Sequence, residues 1–223
     1  LPHRFEEDEY FISDPITVYL IGKSIKLGRP VRVNADRRFS DLRTMAFDIE
    51  VINTGKFPSA EREADRIVVI SLAYRDVDRV WSEVLIDEND EAGLIRKFFD
   101  RIELFAPDVL VGHNIFEFDL PYVEARARRY GLQMFGGRPY TVQRRKKRLA
   151  ERSMYVPVWR VYGMDVIDTY VLAQMWDVYA RKLDGYGLKS IAKQLGLAAE
   201  DREMIDRSDI LAALRNNRDA LIT

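Results

Sequence analysis

The run Thr44-Met45-Ala46-Phe47-Asp48-Ile49-Glu50-Val51 alternates strictly. Met45, Phe47, Ile49 and Val51 are apolar, and the residues between them are small or acidic. A period of two is that of a β-strand with one face buried, here with two carboxylates on the other face. Side chains two apart on a strand point to the same side, a few ångströms from one another. That spacing lets two carboxylates share a hard divalent cation. It also fits a solvated strand face that is simply acidic.

Working outward from this strand, residues 67–74 form a nearly continuous β-branched run, as expected for a strand covered on both faces. Residues 80–86 read as a third strand. Residues 90–105 place Leu94, Ile95, Phe98, Phe99 and Ile102 at helical spacing, and Pro107 closes that helix. A short strand at 109–111 leads into Gly112-His113-Asn114. Leu120, Val123, Ala127 and Tyr130 then mark a second amphipathic helix opened by Asp119 and Pro121. After Gly136-Gly137 comes an irregular segment carrying Arg144, Arg145, Lys146, Lys147 and Arg148. A strand at 154–162 follows, then a helix at 166–176 and a short helix striped by Leu188, Ile191, Ala192 and Leu195. A last helix is expected from about Ser208. Strands first and alternating elements later predict an α/β protein: a mixed sheet flanked by helices.

The composition is that of a folded protein, 47% hydrophobic and 32% charged over 223 residues, which excludes a disordered or low-complexity chain. No apolar run reaches the roughly 18 residues of a membrane span, so no membrane partner is expected. Zero cysteines exclude disulfides and zinc–thiolate sites and suit a reducing intracellular setting. Only His3 and His113 are present, so a histidine-rich metal cage is excluded too. Thirty-five basic against 36 acidic residues give a net charge of −1, so any nucleic-acid contact must come from local charge placement. The chain lacks a starting Met and stops at Leu221-Ile222-Thr223, from which we expect a piece of something longer.

Three further features carry possible chemistry. Asp119 sits at a helix start after a strand, where a carboxylate serves as an N-cap or, with Asn114, Phe116 and Phe118 on the same connection, as part of a ligand site. Asp219 lies between Arg218 and Ala220 on the expected last helix. The five-residue basic cluster, flanked by Tyr140 and Tyr155, reads as a phosphate-contacting hairpin or loop, or as a surface loop without a partner.

Phe47-Asp48-Ile49-Glu50, Asn114-x-x-x-Phe118-Asp119 and Asn217-Arg218-Asp219-Ala220 together resemble the three motifs of the DEDD 3′–5′ exonucleases. The nearest likeness is to the proofreading domain of family B DNA polymerases. Phe39-Ser40-Asp41-Leu42-Arg43, the segment Gly163-Met164-Asp165-Val166-Ile167-Asp168 and Tyr186-Gly187-Leu188-Lys189-Ser190-Ile191-Ala192 resemble the same family. The resemblance implies a ribonuclease-H-like sheet over residues 38–223, with residues 1–37 a short β-rich lead-in from the preceding polymerase domain. It further implies that Asp48, Glu50, Asp119 and Asp219 hold two Mg²⁺ or Mn²⁺ ions for hydrolysis of a terminal phosphodiester. Asn114 and Phe118 would face the sugar and bases of a single-stranded DNA or primer 3′ end, in a chain that also carries a polymerase domain. One position departs from the family. Where the third motif has a water-orienting Tyr, this chain has Arg215, which offers no acceptor. The alternative is therefore a weakened or retired exonuclease domain that only binds single strands, or a third motif displaced toward Asp206 or Asp209.

Overall fold

The computed structural model describes the backbone of residues 3–5, 11–12, 18–19, 25–27, 42–149 and 152–197, and the side chains of 42–144 and 156–197. The chain divides into two compact units, Leu1–Leu42 and Arg43–Thr223. The first holds β1 (His3–Phe5), β2 (Phe11–Ile12), β3 (Val18–Tyr19) and β4 (Ile25–Leu27). There β1 pairs antiparallel with β4, and β2 with β3.

The second unit opens with β5 (Thr44–Val51), β6 (Ile67–Asp76) and β7 (Arg79–Ile86), an antiparallel meander. It continues with α1 (Glu91–Phe105), β8 (Val109–Gly112) and α2 (Asp119–Arg129). A 3₁₀ turn, Met134–Gly137, leads to β9 (Tyr140–Leu149) and β10 (Arg152–Val161), which form a hairpin. Last come β11 (Asp165–Asp168), α3 (Thr169–Ala180) and α4 (Leu188–Gln194). Five strands make one mixed sheet in the order β11-β8-β5-β6-β7, with β8 parallel to β5 and β11 parallel to β8. The α/β class read from the sequence is thus present.

The alternation in β5 sets the layers. Met45, Phe47, Ile49 and Val51 are buried, in one cluster with Leu94, Ile95, Phe98, Phe99 and Ile102 of α1 and Leu120, Val123 and Ala127 of α2. The Phe47 and Phe98 rings meet at a centroid distance of 5.0 Å. Asp90 caps α1 by accepting the Gly93 N–H at 2.7 Å, and the left-handed Ala106 ends it just before Pro107. The opposite face of β5, carrying Asp48 and Glu50, is thereby left out of this core.

The connection from β5 to β6 is tied down by polar groups. Asp65, fully buried, accepts hydrogen bonds from the Thr54 N–H and hydroxyl, the Ser59 N–H and the Arg62 guanidinium. Arg126 of α2, also fully buried, donates to the Glu91 carboxylate and to the carbonyls of Ala60 and Arg62. Glu91 in turn accepts the Ile67 N–H at 2.8 Å, and the Tyr122 hydroxyl donates to the Asp65 carbonyl at 2.8 Å. Burial alone would raise the Asp65 carboxyl, but the bonds from Arg62, Thr54 and Ser59 override it and hold the group well below the usual carboxylate range. A carboxyl depressed in the folded state adds stability above its unfolded value and loses it as pH falls. Asp65→Asn should therefore cost about 1–3 kcal/mol near neutral pH, because an amide NH₂ would face donors. The loss should shrink on acidification. Chemical denaturation at neutral and acid pH measures both, and equal losses at the two would contradict the assignment.

Three expectations need correction. The basic residues Arg144, Arg145, Lys146, Lys147 and Arg148 do not lie in an irregular segment. They are consecutive positions of β9, opposite Pro157, Val156, Tyr155, Met154 and Ser153. The β-formers Tyr140, Thr141 and Val142 at the hairpin base pair with Val161, Arg160 and Trp159, and the ladder carries the charged run along. The helix expected from 166 starts at Thr169, because Asp165–Asp168 is drawn into a parallel ladder with β8 and Asp168 caps the helix. The expected α4 helix forms, but its stripe is only partly covered: Leu188 and Leu195 are about half exposed, Ile191 and Ala192 half-buried, and no residue of that helix is fully buried. The expected helix from Ser208 lies outside the described residues.

Candidate active site

The open face of β5 is where its pairing changes. β8 pairs with β5 only over Thr44–Ala46. Beyond that point the edge is uncovered, and the Ile49 N–H is met by Asp119 Oδ1 at 3.1 Å. Asp119 is therefore not an N-cap. It is the first residue of α2, whose cap position is Phe118, and its carboxylate turns away from the helix onto β5. Gly112, closing β8, packs tightly here: a Cβ on it would fall 2.1 Å from the Ile115 side chain and 2.9 Å from the Phe47 carbonyl.

Asp48 is exposed and Glu50 half-buried on the same side of β5, as the alternation predicts. Their cross-strand neighbours in β6 are Ser71 and Val69, and the register shifts at Glu50/Val51, a bulge that reorients the strand end. Asp119 is only 2% exposed. Burial, then the Asp48 charge, and to a lesser extent Asp168, push its carboxyl up to about 8 against the counter-effect of the Ile49 N–H. The fold thus brings Asp48 close enough to Asp119 for their charges to interact, and Glu50 lies two residues along β5 from Asp48 on the same face. Among the described residues no three Asp, Glu, His or Cys side chains close into a metal-binding group. Asp219 and Arg215 lie outside the described residues. The donors present are carboxylate oxygens, which suit Mg²⁺ or Mn²⁺, and a cation would favour the charged form of Asp119 that burial and the Asp48 charge disfavour.

The loop from β8 to α2 carries the other expected residues. Asn114 takes the left-handed backbone, with φ 64°. Its carbonyl accepts the Glu117 and Phe118 N–H groups, which folds the loop back on itself. Phe118 is half-buried and packs on Tyr122 at 5.5 Å, so it belongs to the core edge while keeping an exposed side. His113 is used structurally: Nε2 donates to the Tyr186 carbonyl at 2.9 Å and Nδ1 meets the Thr169 hydroxyl at 3.0 Å. Asp168, not read from the sequence as a site residue, is 3% exposed and accepts three backbone N–H bonds beneath this loop. Its sequence signal was modest, an Asp between a β-branched pair and a Thr at a helix start.

A central strand with two carboxylates on its open face, antiparallel neighbours on one side and parallel ones on the other, defines a ribonuclease-H-like domain. The chain belongs to the exonuclease-domain family of family B DNA polymerases: the family model described as DNA polymerase family B, exonuclease domain, matches residues 21–191. That match includes Asp48, Glu50, Asn114, Phe118 and Asp119 and ends before Arg215 and Asp219. A DNA polymerase of Archaeoglobus fulgidus is 35% identical over 100 residues, 45% of this chain and 12% of the relative. DNA polymerase 2 of Aeropyrum pernix is 31% identical over 124 residues, 54% of this chain and 15% of the relative. Among solved structures, the family B DNA polymerase of Pyrobaculum calidifontis superposes with a TM-score of 0.61 at 25% identity, covering 88% of this chain and 23% of that one. The chain thus spans under a quarter of each of these three proteins. Among the described residues, no helix is long and apolar enough to cross a membrane.

Proposed function

We propose that this chain is a divalent-metal-dependent 3′–5′ exonuclease module that removes nucleotides from single-stranded DNA 3′ ends, proofreading for a polymerase domain in the same full-length chain. The observation that carries this reading is Asp119, bonded to the backbone of β5 and raised first by its burial and then by the charge of Asp48, in a family B exonuclease fold. Asp48, Glu50 and Asp119 would hold the ions, with Asp219 the proposed fourth ligand. When bound, two such ions supply a hydroxide nucleophile near neutral pH and neutralise the charge on the leaving 3′-oxygen. The chain's own part is positional. The Ile49 N–H fixes the Asp119 carboxylate, and the β5 pleat fixes Asp48 and Glu50 relative to it. Asn114 and Phe118 would receive the terminal sugar and bases, and stacking on an aromatic ring is tolerant of sequence. Arg215 would contact the substrate as well. Arg144, Arg145, Lys146, Lys147 and Arg148 would grip phosphates along β9.

A 5′-labelled single-stranded oligonucleotide tests the reading. With Mg²⁺ or Mn²⁺ the product ladder should shorten from the 3′ end, and chelation by EDTA should stop it. Digestion that persists in EDTA, starts at the 5′ end or cuts internally would rule the proposal out. A matched RNA strand, degraded as fast or faster, would reassign the substrate. Binding without turnover, rescued by Arg215→Tyr, would identify a weakened domain.

A further inference from the structure

Asp168 closes β11, which β8 separates from β5, and its register partner in β8 is Gly112. It reaches across to a loop more than fifty residues earlier in the chain. One carboxylate oxygen, Oδ1, accepts the Asn114 N–H at 2.9 Å and the Tyr170 N–H at 2.9 Å, while Oδ2 accepts the Phe116 N–H at 3.0 Å. The first and third of these bonds hold the β8–α2 loop, and the second caps α3. A buried carboxylate saturated by backbone donors is strongly held, since each is a charge-assisted bond in a low-dielectric setting. The loop it grips is strained. Asn114 sits at φ 64°, a left-handed backbone that few non-glycine residues adopt and that the surrounding hydrogen bonds hold in place.

The loop therefore has two independent anchors. Asp119 ties its far end to β5 through Ile49, on the side of the carboxylate pair. Asp168 ties its near end, on the side of Asn114. We infer that Asp168 is a positioning residue that holds the β8–α2 loop in the shape presenting Asn114 and Phe118 to a DNA strand, while leaving the carboxylate pair to its own anchor. This rests on the nuclease reading for the nature of the ligand, but the clamp itself is a property of the fold.

Asp168→Asn separates the possibilities. Its single carbonyl oxygen can take over the Asn114 and Tyr170 bonds, and its NH₂ then faces the Phe116 N–H, which it cannot accept. Hydrogen exchange followed by NMR should show the Phe116 amide speeding up by about tenfold or more, with Asn114 and Tyr170 still protected. In exonuclease assays KM should rise about fivefold while kcat stays within about twofold, because the substrate side is loosened and the carboxylates are not. The dissociation constant for a fluorescein-labelled single strand should weaken in parallel. The wild-type protein supplies a measurement free of any folding defect: its Asn114 and Phe116 amides should be protected. Fast exchange there, or an oligonucleotide affinity untouched by Asp168→Asn, overturns the inference. So does a fall in kcat alone accompanied by a lower melting temperature. If the wild type binds the strand but releases no nucleotide with Mg²⁺ or Mn²⁺, the nuclease reading fails, and the clamp is still judged by the exchange and affinity data.

Discussion

Asp119→Asn should lower nucleotide release from a single-stranded 3′ end by about a thousandfold or more, as expected when a ligand of a two-ion hydrolytic site loses its charge. The same substitution should leave the metal-free fold intact or make it more stable. Asp119 is buried beside Asp48, and its carboxyl is raised to about 8. A group raised in the folded state contributes stability below its unfolded value and loses it as pH rises toward the folded one. The metal-free protein should thus lose stability between the ordinary aspartate range and about pH 8 as Asp119 is forced to ionise next to Asp48. Mn²⁺ should restore that loss, and Asp119→Asn should flatten the pH dependence while removing the Mn²⁺ effect. Melting curves across pH with and without Mn²⁺, paired with nuclease rates, measure all of this. Asp48→Ala should abolish turnover equally. Full activity in either variant would dissolve the assignment of this pair, whatever the fold.

The largest effect on stability should come from Arg126→Ala. Arg126 is fully buried, and its guanidinium is shared among the Glu91 carboxylate, the Tyr130 hydroxyl and the carbonyls of residues 60 and 62. Removing it takes away the counter-charge of Glu91, which is 4% exposed, and a donor shared by the carbonyls of residues 60, 62 and 63. Breaking a buried pair from one side costs about 3–5 kcal/mol. In a domain of this size that is a melting-temperature loss of roughly 10 °C. Glu91→Ala in the Arg126→Ala background should cost much less than in the wild type, because the charge being removed has already lost its partner. Calorimetry of the four proteins of this cycle tests the point. Additive losses, or an Arg126→Ala melting temperature within about 2 °C of wild type, would show that the clasp does not hold the β5–β6 connection.

Much of this architecture can be read without coordinates, wherever the signal is periodic. The alternation of Met45 to Val51 assigns β5 its core face and leaves Asp48 and Glu50 on the other side, as the buried and exposed positions bear out. The spacing of Leu94, Ile95, Phe98, Phe99 and Ile102 gives α1 almost to the residue, since Asp90 and Pro107 punctuate it chemically. Periodicity fails where a distant partner overrides local preference. Five consecutive cations look like a loop, yet they run as a strand because Val156 and its neighbours supply a ladder. Val166 and Ile167 look like a helix start, yet β8 pulls them into the sheet. Asp119 looks like a cap, yet the early end of β8 leaves the Ile49 N–H for it to accept. Arg126 occupies the buried side of α2, where a charge is unexpected until Glu91 is seen opposite it.

The α/β class, the central acidic strand and the exclusion of thiolate and histidine-cage metal chemistry are legible in the linear chain. These depend on residue type and short-range spacing, both of which a linear chain displays. Folding adds that Asp119 meets Asp48, that Asp168 underlies Asn114, and that the basic run is a hairpin strand. The first two join positions more than fifty residues apart, and the third pairs two strands across a turn; in each case the partner is chosen by strand order and register, quantities that come into being only when the chain has folded.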